Sequence, residues 1–321
     1  MTDRQTRGDV LGTYIARAST RPVPDIVLHE ARRALVDSLG VGIAAVRDPA
    51  VRPVHTTAKS WNAQGSARIF LGERTTPALA ALVNATAIHA MDFDDVHYLG
   101  AGHPSGPCWA TALAVGEHIG ADEALVLRAF ITGYEIMARL GGGGVPGVGR
   151  SLQRTGFHPT SILGRMGAAA VAAVLYGLDA TQAQHALSCA ATTAGGLLGS
   201  FGTHGKPFHA GKAAMDGILA ADLAQNGFLG STRLYETEGG WLDAFLAGQT
   251  VAVPPLDFET RWELLRNGYK LLASCRGTHA SAQTARAIFP QLKGRAIRQV
   301  VASIHPGALV TAGIDTPLSP L

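Results

Sequence analysis

Residues 78–90 form an Ala-rich apolar run that reads as a buried helix, and the run leads straight into a knot of ionisable groups. Residues 89–105 read His-Ala-Met-Asp-Phe-Asp-Asp-Val-His-Tyr-Leu-Gly-Ala-Gly-His-Pro-Ser. Three carboxylates and three imidazoles fall within these seventeen residues of a chain that is only 16% charged. A fold that buries the run must also shelter the cluster. Buried ionisable groups need partners or a function. A cluster at a helix end, followed by a Gly- and Pro-containing loop, suits acid–base chemistry.

The chain has 321 residues, room for one large domain or two moderate ones. It is 47% hydrophobic but only 6% aromatic, with 39 glycines and abundant alanine. Small residues let helix axes approach closely, so the expected interior is tightly packed and mostly helical. The formal charge of +3 is evenly spread, which argues against a nucleic-acid partner. A mildly basic balance suits a small anionic substrate. Cys108, Cys189 and Cys275 are far apart and form no Cys-x-x-Cys pair. Neither a zinc site nor an iron–sulfur cluster is therefore indicated, and a reduced, cytoplasmic setting is expected. The polar N-terminus lacks a signal-peptide core. The apolar run 167–178 is too short to span a bilayer, so no membrane segment is expected.

Apolar spacing predicts a helix over 24–46, with Pro24 near its first turn. Residues 52–76 read as a polar connection with a short strand or turn near 67–71. Thr76 and Pro77 mark the start of the apolar helix. Residues 107–119 and 122–140 read as a helical hairpin, with Gly120 ending one helix and Asp122 capping the next. Residues 159–177 and 181–199 form another pair, with Thr181 as a cap. Gly202–Gly211 reads as a loop before a helix over 212–226, closed by Gly227. Beyond Val251 the texture changes, and Ala296–His305 looks β-like through Ile297, Val300, Val301 and Ile304. The expected organisation is mainly α: a helical domain over 1–265, then the start of a smaller α+β domain over 266–321.

If helical geometry continues past Ala90, Asp92 and Asp95 share a face. A plain solvated helix end would carry a penalty, because carboxylates at a C-terminus oppose the dipole by a few tenths to about 1 kcal/mol. His97 and His103 flank the loop. Their His-x5-His spacing is a poor metal signature, and no metal is expected. His103 precedes Pro104, which restricts it toward extended geometry, and Ser105 is a candidate cap. An imidazole held at a helix start is well placed to move protons near neutral pH. His158-Pro159-Thr160-Ser161 repeats the pattern at another helix start, and such starts favour anions. Their convergence would create a carboxylate pocket, but spacing does not decide whether they converge. Lys206 reads either as a carboxylate anchor or as a surface charge. Lys270, Cys275 and His279 form a third polar group, in which Cys275 would need an adjacent base to act as a nucleophile. Gly141–Gly149 is no phosphate loop, since no Gly-Lys-Ser/Thr follows it.

Six motifs, taken together and in order, resemble the MmgE/PrpD family, which includes 2-methylcitrate dehydratase and cis-aconitate decarboxylase. They are His-Ala-Met-Asp-Phe-Asp-Asp (89–95), His-Pro-Ser-Gly (103–106), Gly-Tyr-Glu (133–135), Gly-Phe-His-Pro-Thr-Ser (156–161), Lys-Pro-Phe-His-Ala-Gly (206–211) and Lys-x4-Cys-x3-His (270–279). The resemblance implies a large helical domain with a smaller α+β lid and an active site between them. It also implies a homodimer and cofactor-free, metal-independent lyase chemistry on a small polycarboxylate. Asp92, His103, His158, Lys206 and Lys270 carry over as functional residues. Cys275 and His279 fall in the lid-side motif, taken with Lys270 as substrate-binding. Val96 stands where the decarboxylase branch has threonine, Cys275 where that branch has histidine, and the loop from Asp95 to His103 is slightly longer. These departures favour a hydro-lyase acting on a 2-methylcitrate-like hydroxy acid. In that role His103 moves the proton with Asp92 as its partner, His158 serves the leaving hydroxyl, and the lysines hold carboxylates. The alternatives are a decarboxylase or epimerase of the same family, or a non-catalytic remnant. Against the family pattern the chain stops at Leu321 inside the lid, so a shortened form is expected.

Overall fold

A computed structural model describes residues 5–100, 102–142, 147–314 and 318. The opening helices are α1 (Arg7–Ala16), α2 (Asp25–Ala44) and α3 (Val51–Ser60), followed by the two-residue strands β1 (Ala67–Arg68) and β2 (Arg74–Thr75). Next come α4 (Pro77–Ala90), β3 (Val96–His97), α5 (Ser105–Ile119), α6 (Glu123–Leu140), α7 (Val148–Arg154), α8 (Pro159–Leu175) and α9 (Ala180–Thr192). The remainder holds α10 (Gly205–Gln225), α11 (Trp241–Leu246), β4 (Asn267–Gly268), α12 (His279–Ile288) and α13 (Pro306–Ala312). The mainly helical architecture expected from composition is the one observed. Among the described residues, no helix is long and apolar enough to cross a membrane.

The centre is the packing of α10 against α4 and α8, with α6 and α5 against α8. Small residues set these distances. A Cβ on Gly211 of α10 would fall 2.1 Å from Thr86 Oγ1 and 2.3 Å from the Leu82 carbonyl oxygen on α4. A Cβ on Gly133 of α6 would fall 2.5 Å from the Gly167 carbonyl of α8. Neither position has room for a methyl group. From Leu79 to Ala90 every residue of α4 is buried, so no polar face interrupts it.

Several helix ends follow the expected chemistry. Pro77 begins α4, Asp122 accepts the Leu125 N–H at 2.8 Å, and Gly120 ends α5 in the left-handed region. Others differ. The polar connection after Arg52 is partly helical, as α3. Asp179, not Thr181, caps α9, in a reciprocal box with Gln182. α10 starts at Gly205, so most of the expected glycine loop is helix. Ser105 is inside α5, and its hydroxyl donates to Asp95 Oδ2 instead of capping. Residues 295–305 form no strand; alternation alone makes none without a hydrogen-bonding neighbour. The middle of the Gly141–Gly149 loop lies outside the described residues. After residue 265 the elements are short. Antiparallel pairing of β4 with β3 ties this region back to the acidic stretch, Val96 opposite Gly268.

Candidate active site

The acidic stretch leaves the helix abruptly. α4 ends at Ala90, and Asp92 sits at φ 46°, in the left-handed region. Asp tolerates that conformation better than most residues, yet it is strained, and such strain concentrates at functional positions. The expected helical face shared by Asp92 and Asp95 therefore does not exist. The turn instead delivers Asp92 to two lysines from distant elements. Its Oδ2 lies 2.5 Å from Lys206 Nζ, in the first turn of α10. Its Oδ1 lies 2.5 Å from Lys270 Nζ, just beyond β4, and the Asp92 carbonyl accepts from the same ammonium at 2.6 Å. All three residues are buried. Burial opposes ionisation of Asp92, but the Lys206 and Lys270 ammoniums outweigh it and hold the carboxyl far below its usual range. In this triad two cations face one anion, and the ionised Asp94 beside it supplies the second negative charge.

The imidazoles lie alongside. His103 Nδ1 is 2.6 Å from the Asp95 carbonyl oxygen. A carbonyl only accepts, so Nδ1 carries the proton and Nε2 is the basic nitrogen. Burial, then the nearby Lys270 charge, pushes His103 down to about 3. The ring is therefore neutral at pH 7. The His103 N–H donates to Thr160 Oγ1 at 3.1 Å, so the two His-Pro helix starts do converge. His158 occupies the N-cap position of α8 without capping through its side chain, and its Nδ1 is 3.1 Å from His209 Nδ1 on α10. One of these nitrogens donates and the other accepts. Burial drives His158 well below its ordinary value and His209 down to about 4.

The structure thus gathers Asp92, Lys206, Lys270, His103 and His158. It does not gather Cys275 and His279 with them. Cys275 Sγ contacts Thr311 Oγ1 at 3.9 Å, while His279 donates from Nε2 to the Ser274 carbonyl at 3.2 Å. Among the described residues, neither bonds to the Asp92 cluster, and His279 does not bond to Cys275. Cys275 therefore lacks an adjacent base: a single 3₁₀ turn over Arg276–Thr278 leads from it to His279, whose ring turns back to the Ser274 carbonyl. His97 is structural: it pairs with Glu263 at 3.1 Å and accepts the Gly100 N–H.

Two site residues escaped sequence reasoning. His89, wholly buried at the end of α4, pairs with Asp94 at 2.8 Å and sits between His103 and His158, at ring separations of 4.9 and 5.6 Å. His209 follows Lys206 by three residues, the spacing of a shared helix face, but that signal is readable only once α10 is known to start at Gly205.

Ligand atoms of His89, Asp92, Asp94 and His103 all lie within 4.8 Å of one another, so a cation site must be considered. The charges disfavour it. Both Asp92 oxygens already hold ammoniums, Asp94 Oδ2 holds His89, and a dication would sit beside Lys206 and Lys270.

These groups predict the acid response of the fold. His103, His158 and His209 refuse protons when folded, so their contribution is complete above 6.5 and is lost as pH falls. Asp95 and Asp37 act oppositely: burial raises them to about 7 and about 6, so their contribution is complete in acid and is lost as pH rises through those values. As pH falls between about 6 and 4.5 the three imidazoles cost the fold stability, while the raised carboxyls of Asp95, Asp37, Glu135 and Asp222 offset part of that loss. Urea unfolding across that range measures the slope. Stability that rises on acidification contradicts the burial of these imidazoles.

A family model for the MmgE/PrpD N-terminal domain matches residues 9–254. Human cis-aconitate decarboxylase is 31% identical over 278 residues, covering 82% of this chain and 56% of that protein. The mouse cis-aconitate decarboxylase is likewise 31% identical, over 276 residues, covering 82% of this chain and 55% of its own. Cis-aconitate decarboxylase from Aspergillus terreus is 25% identical over 315 residues, covering 91% and 62%. The chain spans little more than half the length of the mammalian relatives it matches, and these relatives are enzymes. On the match over residues 9–254 and on these identities, the chain belongs to the MmgE/PrpD family.

Proposed function

We propose that this chain carries the helical part of a metal-independent lyase site for a small polycarboxylate. The observation that supports it is a neutral imidazole, with its basic nitrogen free, beside two buried ammoniums. In this reading Lys206 and Lys270 take substrate carboxylates in exchange for part of their hold on Asp92. His103 Nε2 removes the proton beside a carboxylate. Negative charge then builds on an already anionic group, and fixed cations stabilise it by several kcal/mol. His158, tied to His209, hydrogen-bonds the leaving hydroxyl, which departs as water with one proton gained for the one that His103 takes from carbon. Residues 266–321 supply Lys270 and read as the start of a lid. A neutral imidazole is a base before it is an acid, which favours the loss of water from a hydroxy acid. The second reading is decarboxylation, favoured by the relatives' activity. There His103 would have to arrive protonated and give its proton to the carbon that loses CO2.

The test is a panel of hydroxy- and unsaturated tricarboxylates offered to the purified chain, with and without chelator. Expected is turnover indifferent to chelator, lowered roughly 10²-fold in kcat/KM by Lys206→Ala. Alkene with release of water identifies the hydro-lyase; release of CO2 identifies the decarboxylase. Near-normal turnover in Lys206→Ala removes the anchoring role. Chelator-sensitive turnover restores a His/Asp metal site. No turnover and no ligand-induced rise in Tm leaves a non-catalytic remnant.

A further inference from the structure

Two buried polar atoms at the site have no hydrogen-bond partner among the described residues: Asp94 Oδ1 and His89 Nε2. Both belong to one pair. Asp94 Oδ2 and His89 Nδ1 are 2.8 Å apart, with side chains 1% and 0% exposed. A buried carboxylate normally satisfies both oxygens. The free oxygen of Asp94 lies 3.6 Å from His103 Nδ1, too far for a hydrogen bond but close enough for a strong charge interaction. The His103 Nδ1 proton is meanwhile given to the Asp95 carbonyl.

We propose that Asp94 is a positioning residue shared by two imidazoles: Oδ2 holds His89 as its Nδ1–H tautomer, and Oδ1 waits to receive the Nδ1–H of His103 when that ring becomes charged. The kinetic consequence rests on the lyase reading; the tautomer consequence does not. In the reaction the proton leaves a substrate carbon for His103 Nε2, and the C–H electron pair stays with the substrate. His103 is then an imidazolium, and its Nδ1–H turns from the neutral carbonyl to the carboxylate. The ion pair is a charge-assisted hydrogen bond, stronger than the one it replaces. His89 keeps Asp94 from turning its other oxygen away.

The surroundings require such a counter-charge. His103 faces Lys270, His89, Asp92 and Asp94, and Lys206 and His158 stand close by on α10 and α8. Asp92 is engaged by two ammoniums. Asp37 faces Asp94 from α2 and, like Asp95, is held toward its neutral form. Asp94, by contrast, stays ionised down to about 2: burial resists its charge, but His89 and His103 favour it more. It is the ionised carboxylate here with an oxygen to spare.

The test uses the full chain with ¹⁵N-histidine and long-range ¹H–¹⁵N spectra. At pH 7 the wild type should show protons on Nδ1 of both His89 and His103. Asp94→Asn should abolish the preference at His89. At His103 it should keep the tautomer, through the Asp95 carbonyl, but lower the acid midpoint by roughly 1 pH unit. In turnover, kcat should fall with KM within a few-fold, and Asp94→Glu should recover part of it. A wild-type His89 in the Nε2–H form overturns the proposal without any variant, so a misfolded Asp94→Asn does not shield it. An unmoved His103 midpoint in a folded Asp94→Asn also overturns it. Neither spectral result depends on substrate. Absence of wild-type turnover therefore counts against the lyase reading alone.

Discussion

His103→Ala lowers kcat/KM by roughly 10²–10⁴-fold, the loss expected when a positioned general base is removed. The ring is held from both ends of its residue. Its backbone N–H is tied to Thr160 Oγ1, and its Nδ1 to the Asp95 carbonyl. Alanine keeps the first tie and removes the second, together with Nε2, the nitrogen proposed to take the substrate proton. The pH profile separates this base from an ordinary imidazole. A free histidine loses half its basic form near 6.5. Burial holds His103 down to about 3, so the proposed base stays unprotonated through mildly acidic solution. The acid limb of kcat/KM should therefore lie well below 6.5. Turnover close to wild type in His103→Ala, with Tm unchanged, ends the assignment of His103 as the proton carrier. An acid limb at 6.5 would instead indicate a ring more hydrated than the one described.

Asp92→Asn costs about 3–5 kcal/mol of folding stability, more than any surface change. Asparagine tolerates the left-handed backbone at φ 46°, so the substitution tests charge and not strain. What remains is two buried ammoniums facing each other with no carboxylate between them. Both lysines are buried, Lys270 completely at its side chain, so solvent screening offers little relief. Denaturant unfolding at pH 7 measures the effect. A loss below about 1 kcal/mol, typical of an exposed pair, contradicts the buried triad.

Much of the fold was legible because helix signals are local. Pro77, Gly120, Asp122 and Gly227 mark ends that physics places within one turn of the residue responsible. Glycine and alanine abundance forecast close helix packing, and Gly211 against Thr86 is that forecast in atoms. The errors were local ambiguities. The glycine-rich stretch before Lys212 tolerates either loop or helix, and packing of α10 against α4 chose helix from Gly205 onward. The alternation at 296–305 described a surface suited to a sheet, but a strand needs a neighbour to receive its N–H and C=O groups.

The residue types of the site were readable from their unusual density around the end of α4, and the family motifs ranked Asp92, His103, His158, Lys206 and Lys270 ahead of their neighbours. The partnerships were not readable. Asp92 meets Lys206 and Lys270 across 114 and 178 positions, distances over which one-dimensional periodicity carries no information. His89 looked like the last residue of a core helix until Asp94 and two further rings closed around it. Sequence by itself determined most of the helical stretches and which chemical groups were at hand, because both follow largely from side-chain pattern and composition. Tertiary packing alone decided which groups touch, and with that their charge states, because desolvation and Coulomb energy depend on separation in space and not along the chain.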